Sequence, residues 1–216
     1  SEEYVYCVSD QEMKTIGADN ESGMMSPSRM LNTTFGDELR LFNMNRSKVI
    51  GVALKDRSAV LPAGHMANFA FWFDSESGDF VSSSYYGPRL PKWVQKFNKK
   101  KLCQKYLSQE WDLFLSSKNY DESLVDNSVY EAPFNGERYP KFPHDLPALV
   151  EQNGMGLIKT TPFGNSLTKD MAIAAIEGES LGKDDFTDIL TLSFSSTDYI
   201  GHQFGADSRE TQDAYL

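Results

Sequence analysis

Apolar residues recur along this chain in two rhythms. Continuous or alternating runs mark strands, and spacing by three and four marks helices. Tyr4-Val5-Tyr6-Cys7-Val8 alternates and reads as a short strand. Asp19-Asn20-Glu21-Ser22-Gly23 is turn-like, and Ser26-Pro27 then reads as an N-cap and first helical residue. Met30, Leu31, Phe35, Leu39 and Leu41 or Phe42 fit one face of a helix over 27–43. The run Lys48-Val49-Ile50-Gly51-Val52-Ala53-Leu54 is apolar and rich in β-branched residues, the pattern of a strand buried on both faces of a parallel sheet. Strand-like runs over 68–73 and 80–86 flank the turn Asp74-Ser75-Glu76-Ser77-Gly78-Asp79, which predicts a hairpin.

After Pro91 a helix is expected through Trp93, Val94 and Phe97 towards Leu102, Tyr106 and Leu107. Residues 116–155 are rich in Ser, Asn, Asp, Pro and Gly and read as an irregular excursion. Tyr120, Tyr130, Phe134, Tyr139, Phe142, Leu146 and Leu149 would anchor it to the domain. Ser166 or Thr168 is expected to cap a helix running to about Glu179. A strand follows over 189–194, and Asp207 reads as the cap of a last helix with Glu210 three residues on. Helix, buried strand, helix and strand in this order predict an α/β fold with a sheet flanked by helices.

Composition narrows the function. The 216 residues carry a formal net charge of −10, which argues against a nucleic-acid partner. The densest basic patch, Lys99-Lys100-Lys101, reads as a solvated helix face. No run approaches the ~18 apolar residues of a membrane span. The first residues lack the basic start and apolar core of a signal peptide. Cys7 and Cys103 form no CxxC, so a cysteine zinc knuckle is excluded, and either two free thiols or one disulfide fits.

Two places carry candidate chemistry. Lys55 and Arg57 follow the buried strand, where ligands bind in open parallel sheets. A lysine point charge and a guanidinium fork suit an anion with several oxygens, and the same residues also suit a solvated strand end. Asp198 and His202, four apart after the strand 189–194, are both metal-binding types, with Gly201 placed to allow a bend between them. His65 reads as a backbone-bonded structural residue or a site-lining one, and His144 as a loop residue. No GxSxG, GxGxxG, P-loop or cysteine–histidine nucleophile is present, so a complete active site is not visible.

The strings Lys48-Val49-Ile50-Gly51-Val52-Ala53-Leu54-Lys55-Asp56-Arg57-Ser58-Ala59-Val60-Leu61-Pro62-Ala63-Gly64-His65 and Ser196-Thr197-Asp198-Tyr199-Ile200-Gly201-His202-Gln203-Phe204-Gly205 resemble the alkaline phosphatase superfamily. Tyr6-Cys7-Val8, Met25-Ser26-Pro27 and Thr161-Pro162-Phe163-Gly164-Asn165 fit it as well. The nearest likeness is to the phosphate-irrepressible alkaline phosphatases of Bacteroidetes-type bacteria, neighbours of the nucleotide pyrophosphatase/phosphodiesterase branch.

The resemblance implies an exported or periplasmic two-zinc enzyme that hydrolyses phosphate monoesters. A threonine would form a phospho-enzyme, which water then hydrolyses at the zinc centre. Lys55 and Arg57 would bind the phosphoryl oxygens, with the lysine–x–arginine pattern favouring monoesters over diesters. Asp198 and His202 would be two ligands of one zinc.

The family's nucleophile, its first aspartate ligand and an asparagine match nothing in this chain and are expected before it; an Asp-His pair and a last histidine are expected after it. This implies an internal fragment of a larger catalytic domain, inactive alone and holding zinc weakly or not at all. Residues 1–67 and 156–216 would be core-sheet segments, and 68–155 a hairpin, helix and cap-like irregular insertion. The alternatives are a phosphodiesterase or nucleotide pyrophosphatase fragment, and a noncatalytic binding module. The latter would use Phe69, Phe71, Trp72, Phe73, Tyr85 and Tyr86 as a stacking platform, against the plainer reading of a packed hairpin core.

Overall fold

The structure, a computed structural model, describes residues 5–216. In chain order the elements are β1 (Thr15–Ile16), α1 (Phe35–Phe42), β2 (Val49–Ala53), α2 (Asp56–Ala63), β3 (Phe69–Asp74), β4 (Asp79–Ser83) and α3 (Lys92–Asn98). Then come α4 (Leu102–Leu107), α5 (Leu146–Asn153), α6 (Pro162–Gly178), β5 (Ile189–Ser193), α7 (Ser196–Phe204) and α8 (Arg209–Tyr215). Two compact units result: of the described residues, 5–74, 79–100 and 168–193 form the first, and 75–78, 101–167 and 194–216 the second.

The first unit is built on a mixed five-stranded sheet in the order β1-β4-β3-β2-β5. β2 runs parallel to both neighbours, with Ala53 beside Trp72 of β3 and beside Ser193 of β5. All five β2 residues are buried, as the unbroken apolar run predicts. The hairpin β3–β4 is antiparallel and joins the same sheet. Its rings are core: Phe71, Trp72, Phe73 and Phe80 are all buried. An exposed stacking platform at Phe71, Trp72 and Phe73 is therefore overturned.

Gly51 fixes how α2 lies on the sheet. A Cβ there would stand 2.2 Å from the carbonyl oxygen of Ala59, so only glycine lets the helix backbone come this close to β2.

Several boundaries differ from the sequence reading. Residues 5–8 form no strand, Tyr4 lying outside the described residues; a bridge from Ser9 to Met25 and a hydrogen bond from the Ser26 amide to the Val8 carbonyl hold the segment. The helix predicted over 27–43 begins only at Phe35. Ser26 spends its hydroxyl on Asp10 at 2.6 Å, and Thr34 with Asp37 forms a capping box instead. The apolar face read there is not core, since Phe35 and Phe42 stay exposed while Gly36 and Asp37 are buried. The helix after Pro91 breaks into α3 and α4, with Lys101 at φ 50° between them.

In the second unit the excursion packs around an aromatic cluster. Trp111, Phe134, Phe142 and Phe204 surround the fully buried His144 ring. His144 lies between the named elements, as its loop reading expects, but its backbone bridges Trp111 and its side chain is core. α6 starts at Pro162, ahead of the predicted Ser166 or Thr168 caps. Ser208, not Asp207, caps α8, accepting from the Thr211 amide. Asp213 on α8 accepts from the Trp111 indole at 2.7 Å, the Phe114 amide at 2.8 Å and the Tyr120 hydroxyl. No helix among the described residues is long and apolar enough to cross a membrane.

Candidate functional site

The β2–α2 junction carries Lys55 and Arg57. The chain leaves β2 at Ala53 and turns helical at Asp56. Lys55 is the extended N-cap, and Arg57 lies in the first helical turn. The two cations that follow the buried strand therefore flank a helix N-terminus. The orphan amides of that turn favour an anion. Lys55 is half-buried and Arg57 exposed.

Asp56 and Tyr6 complete this junction. Asp56 Oδ1 accepts from the Arg57 amide at 2.5 Å and from the Tyr6 hydroxyl at 2.5 Å. The Tyr6 oxygen in turn accepts from Arg57 Nη1 at 3.2 Å. Burial, and then the Asp56 carboxylate, push the Tyr6 phenol up to about 12, against the smaller opposing effect of Arg57. Tyr6 therefore stays a donor throughout the neutral range.

α7 carries Asp198 and His202 in its first and last turns. Two rows run along this helix. Ser196, Ile200 and Phe204 are buried, while Asp198 is 55% exposed and His202 78%. Spacing by four puts each row on its own face. His202 Nε2 stands 3.4 Å from Asp198 Oδ1. Two donors at ~2.0–2.1 Å from one tetrahedral ion are separated by about 3.3 Å, so the pair fits one edge of a zinc shell. Gly201 makes no bend; it is helical, and space beside it is open.

The start of α7 is capped from a distance. Ser195, its N-cap, makes no side-chain capping bond. Asn165, in the first turns of α6, accepts from the Ser196 amide at 3.1 Å and donates to the Thr197 hydroxyl at 3.4 Å. The far end is held by Gln203, whose amide donates to the carbonyls of Ala132 and Pro133 at 2.8 and 3.0 Å.

The sequence-predicted residues thus form two pairs, Lys55 with Arg57 in the first unit and Asp198 with His202 in the second. Among the described residues no group of three or more His, Cys, Asp or Glu is placed to hold a metal ion. His65 is tied by its backbone: its amide donates to Asp37 at 3.1 Å, and its carbonyl accepts from Tyr85 at 2.9 Å. Both cysteines are free thiols, Cys7 exposed and Cys103 buried. Sequence reasoning missed Tyr6 and Asn165 as supports of the two pairs. Both stand in segments that match the family pattern, which was the one signal available.

A family model described as type I phosphodiesterase / nucleotide pyrophosphatase matches residues 2–216. A Myroides odoratus protein named calcium-transporting ATPase is 47% identical over 214 residues, 98% of this chain and 39% of that protein. Alkaline phosphatase PhoV of Synechococcus elongatus is 46% identical over 212 residues, 98% of this chain and 38% of that protein. The crystal structure of wild-type alkaline phosphatase PafA matches with a TM-score of 0.95 at 46% identity, covering 98% of this chain and 41% of that one. The chain spans about two-fifths of the length of these relatives. Their names differ in activity, and the chain belongs to the type I phosphodiesterase / nucleotide pyrophosphatase family.

Proposed function

We propose that the whole protein to which these residues belong is an exported two-zinc phosphatase that hydrolyses phosphate monoesters through a covalent phospho-enzyme. The observation that carries this reading is the Asp198–His202 pair, two solvent-facing donors 3.4 Å apart on α7 in a chain similar to proteins named alkaline phosphatase. Zinc, when bound, supplies Lewis acidity towards the reacting oxygens. Asp198 and His202 would hold one ion. Lys55 would neutralise phosphoryl charge as a point cation, and Arg57 would offer its planar fork to two oxygens. A monoester carries more charge on its non-bridging oxygens than a diester, so two cations favour the monoester.

A catalytic zinc takes about three protein ligands. The described residues offer two in one place, so this chain by itself should bind zinc weakly and turn over p-nitrophenyl phosphate near background. The decisive assay uses the full-length gene product, comparing kcat/KM for p-nitrophenyl phosphate with bis-p-nitrophenyl phosphate before and after chelation. Monoester preference, lost on chelation and restored by zinc, is expected. His202→Ala should lower kcat/KM by roughly a thousandfold. Chelation-insensitive turnover would defeat the zinc assignment. Diester preference would favour the second reading, a phosphodiesterase, which the family description supports.

A further inference from the structure

We infer that Tyr6 is a positioning residue for Arg57, and through it sets the preference for monoesters. The inference rests on the phosphoryl-binding role proposed for Arg57. Four hydrogen-bonding groups close a ring: Arg57 Nη1 donates to the Tyr6 oxygen, Tyr6 donates to Asp56 Oδ1, and Asp56 Oδ1 accepts from the amide of Arg57 itself. The guanidinium is thus tied back to its own backbone through a phenol and a carboxylate.

This matters because Arg57 is exposed on the surface of its unit, where a long side chain samples many rotamers. Ordering it only when substrate arrives would weaken binding. The ring restrains it beforehand.

Tyr6 suits the role for two further reasons. Its ring packs against a buried cluster that includes Val8, Ala53, Ala59 and Trp72, so the hydroxyl is held by the core rather than by a loop. The phenol also remains protonated across the neutral range, so it donates to Asp56 and accepts from Arg57 at the same time.

The test is a double-mutant cycle in the full-length gene product with Tyr6→Phe and Arg57→Ala, reading the ratio of monoester to diester kcat/KM. Phenylalanine keeps the packed ring and removes only the hydroxyl. Tyr6→Phe should lower the ratio about tenfold, the scale of one hydrogen bond to a charged group, and should lower it no further in the Arg57→Ala background. A ratio unchanged by Tyr6→Phe, or an independent loss in the Arg57→Ala background, overturns the inference while leaving the role of Arg57 intact. A ratio unchanged by Arg57→Ala overturns both. On the 216-residue chain, nitrogen-15 spectra should show hindered rotation of the Arg57 guanidinium that Tyr6→Phe releases. Free rotation in the unmodified chain would also overturn the inference.

Discussion

His144 Nδ1 lies 2.8 Å from Glu137 Oε1, inside a cage of aromatic rings. On its other side Nε2 stands 3.3 Å from Glu210 Oε1, an ion-pair distance off the line of a well-formed hydrogen bond. Burial alone would lower this imidazole, but the hydrogen bond to Glu137 and the nearby Glu210 carboxylate outweigh it and push the group up to about 9. Arg209, Asp126 and Glu131 share the surroundings of Glu210.

A group raised in the folded state stabilises fully below its unfolded value and loses that contribution as pH climbs through the folded one. The chain should therefore lose stability between about pH 6.5 and 9. The rise from 6.5 to about 9 corresponds to roughly 3 kcal/mol. Urea unfolding at pH 6, 8 and 10 is the check, with His144→Asn as reference. Equal pH slopes in both proteins would count against the charged imidazole.

Asp213 should be the costliest single carboxylate to remove from the second unit. It satisfies three donors, from Trp111, Phe114 and Tyr120. Asp213→Ala strands the Trp111 and Tyr120 donors in a buried setting, at about 3–5 kcal/mol. Denaturant midpoints measure it, and Asp213→Asn should recover part of the loss by keeping one carbonyl acceptor.

Asn165→Leu should unfasten the start of α7. Loss of an N-cap costs about 1 kcal/mol, and here the cap comes from 31 residues upstream. Amide exchange at Ser196 should accelerate roughly fivefold, while exchange within β2 stays the same. Unaltered Ser196 exchange would show that the cap contributes nothing.

Gly51→Val should destabilise by about 3 kcal/mol, because its Cβ would meet the Ala59 carbonyl at 2.2 Å and push α2 off the sheet. A calorimetric scan would register the drop in Tm. In the full-length gene product the same change should weaken inhibition by inorganic phosphate, since α2 carries Arg57 in its first turn.

Local patterns were legible wherever the deciding contacts were local. β2 could be read because an unbroken β-branched run has few other uses, and Lys55 and Arg57 because a strand end is easily counted. The spacing of Asp198 and His202 was also readable, although as a bend where the chain is helical. Long-range partners were not legible. Nothing near Arg57 points to Tyr6, 51 residues away, and nothing in the proline-flanked segment around His144 shows that it meets Glu210 on α8. The start of α1 was misread because Ser26 carries a convincing cap signature yet bonds to Asp10 instead.

The two rows of α7 make its chemistry separable from its folding. Ile200 and Phe204 hold the helix in place, while Asp198 and His202 face water and support no core. Replacing both with alanine should leave the unfolding curve within about 0.5 kcal/mol of the parent. Natural variation could then change or abandon the ion proposed for this helix without first repairing the fold.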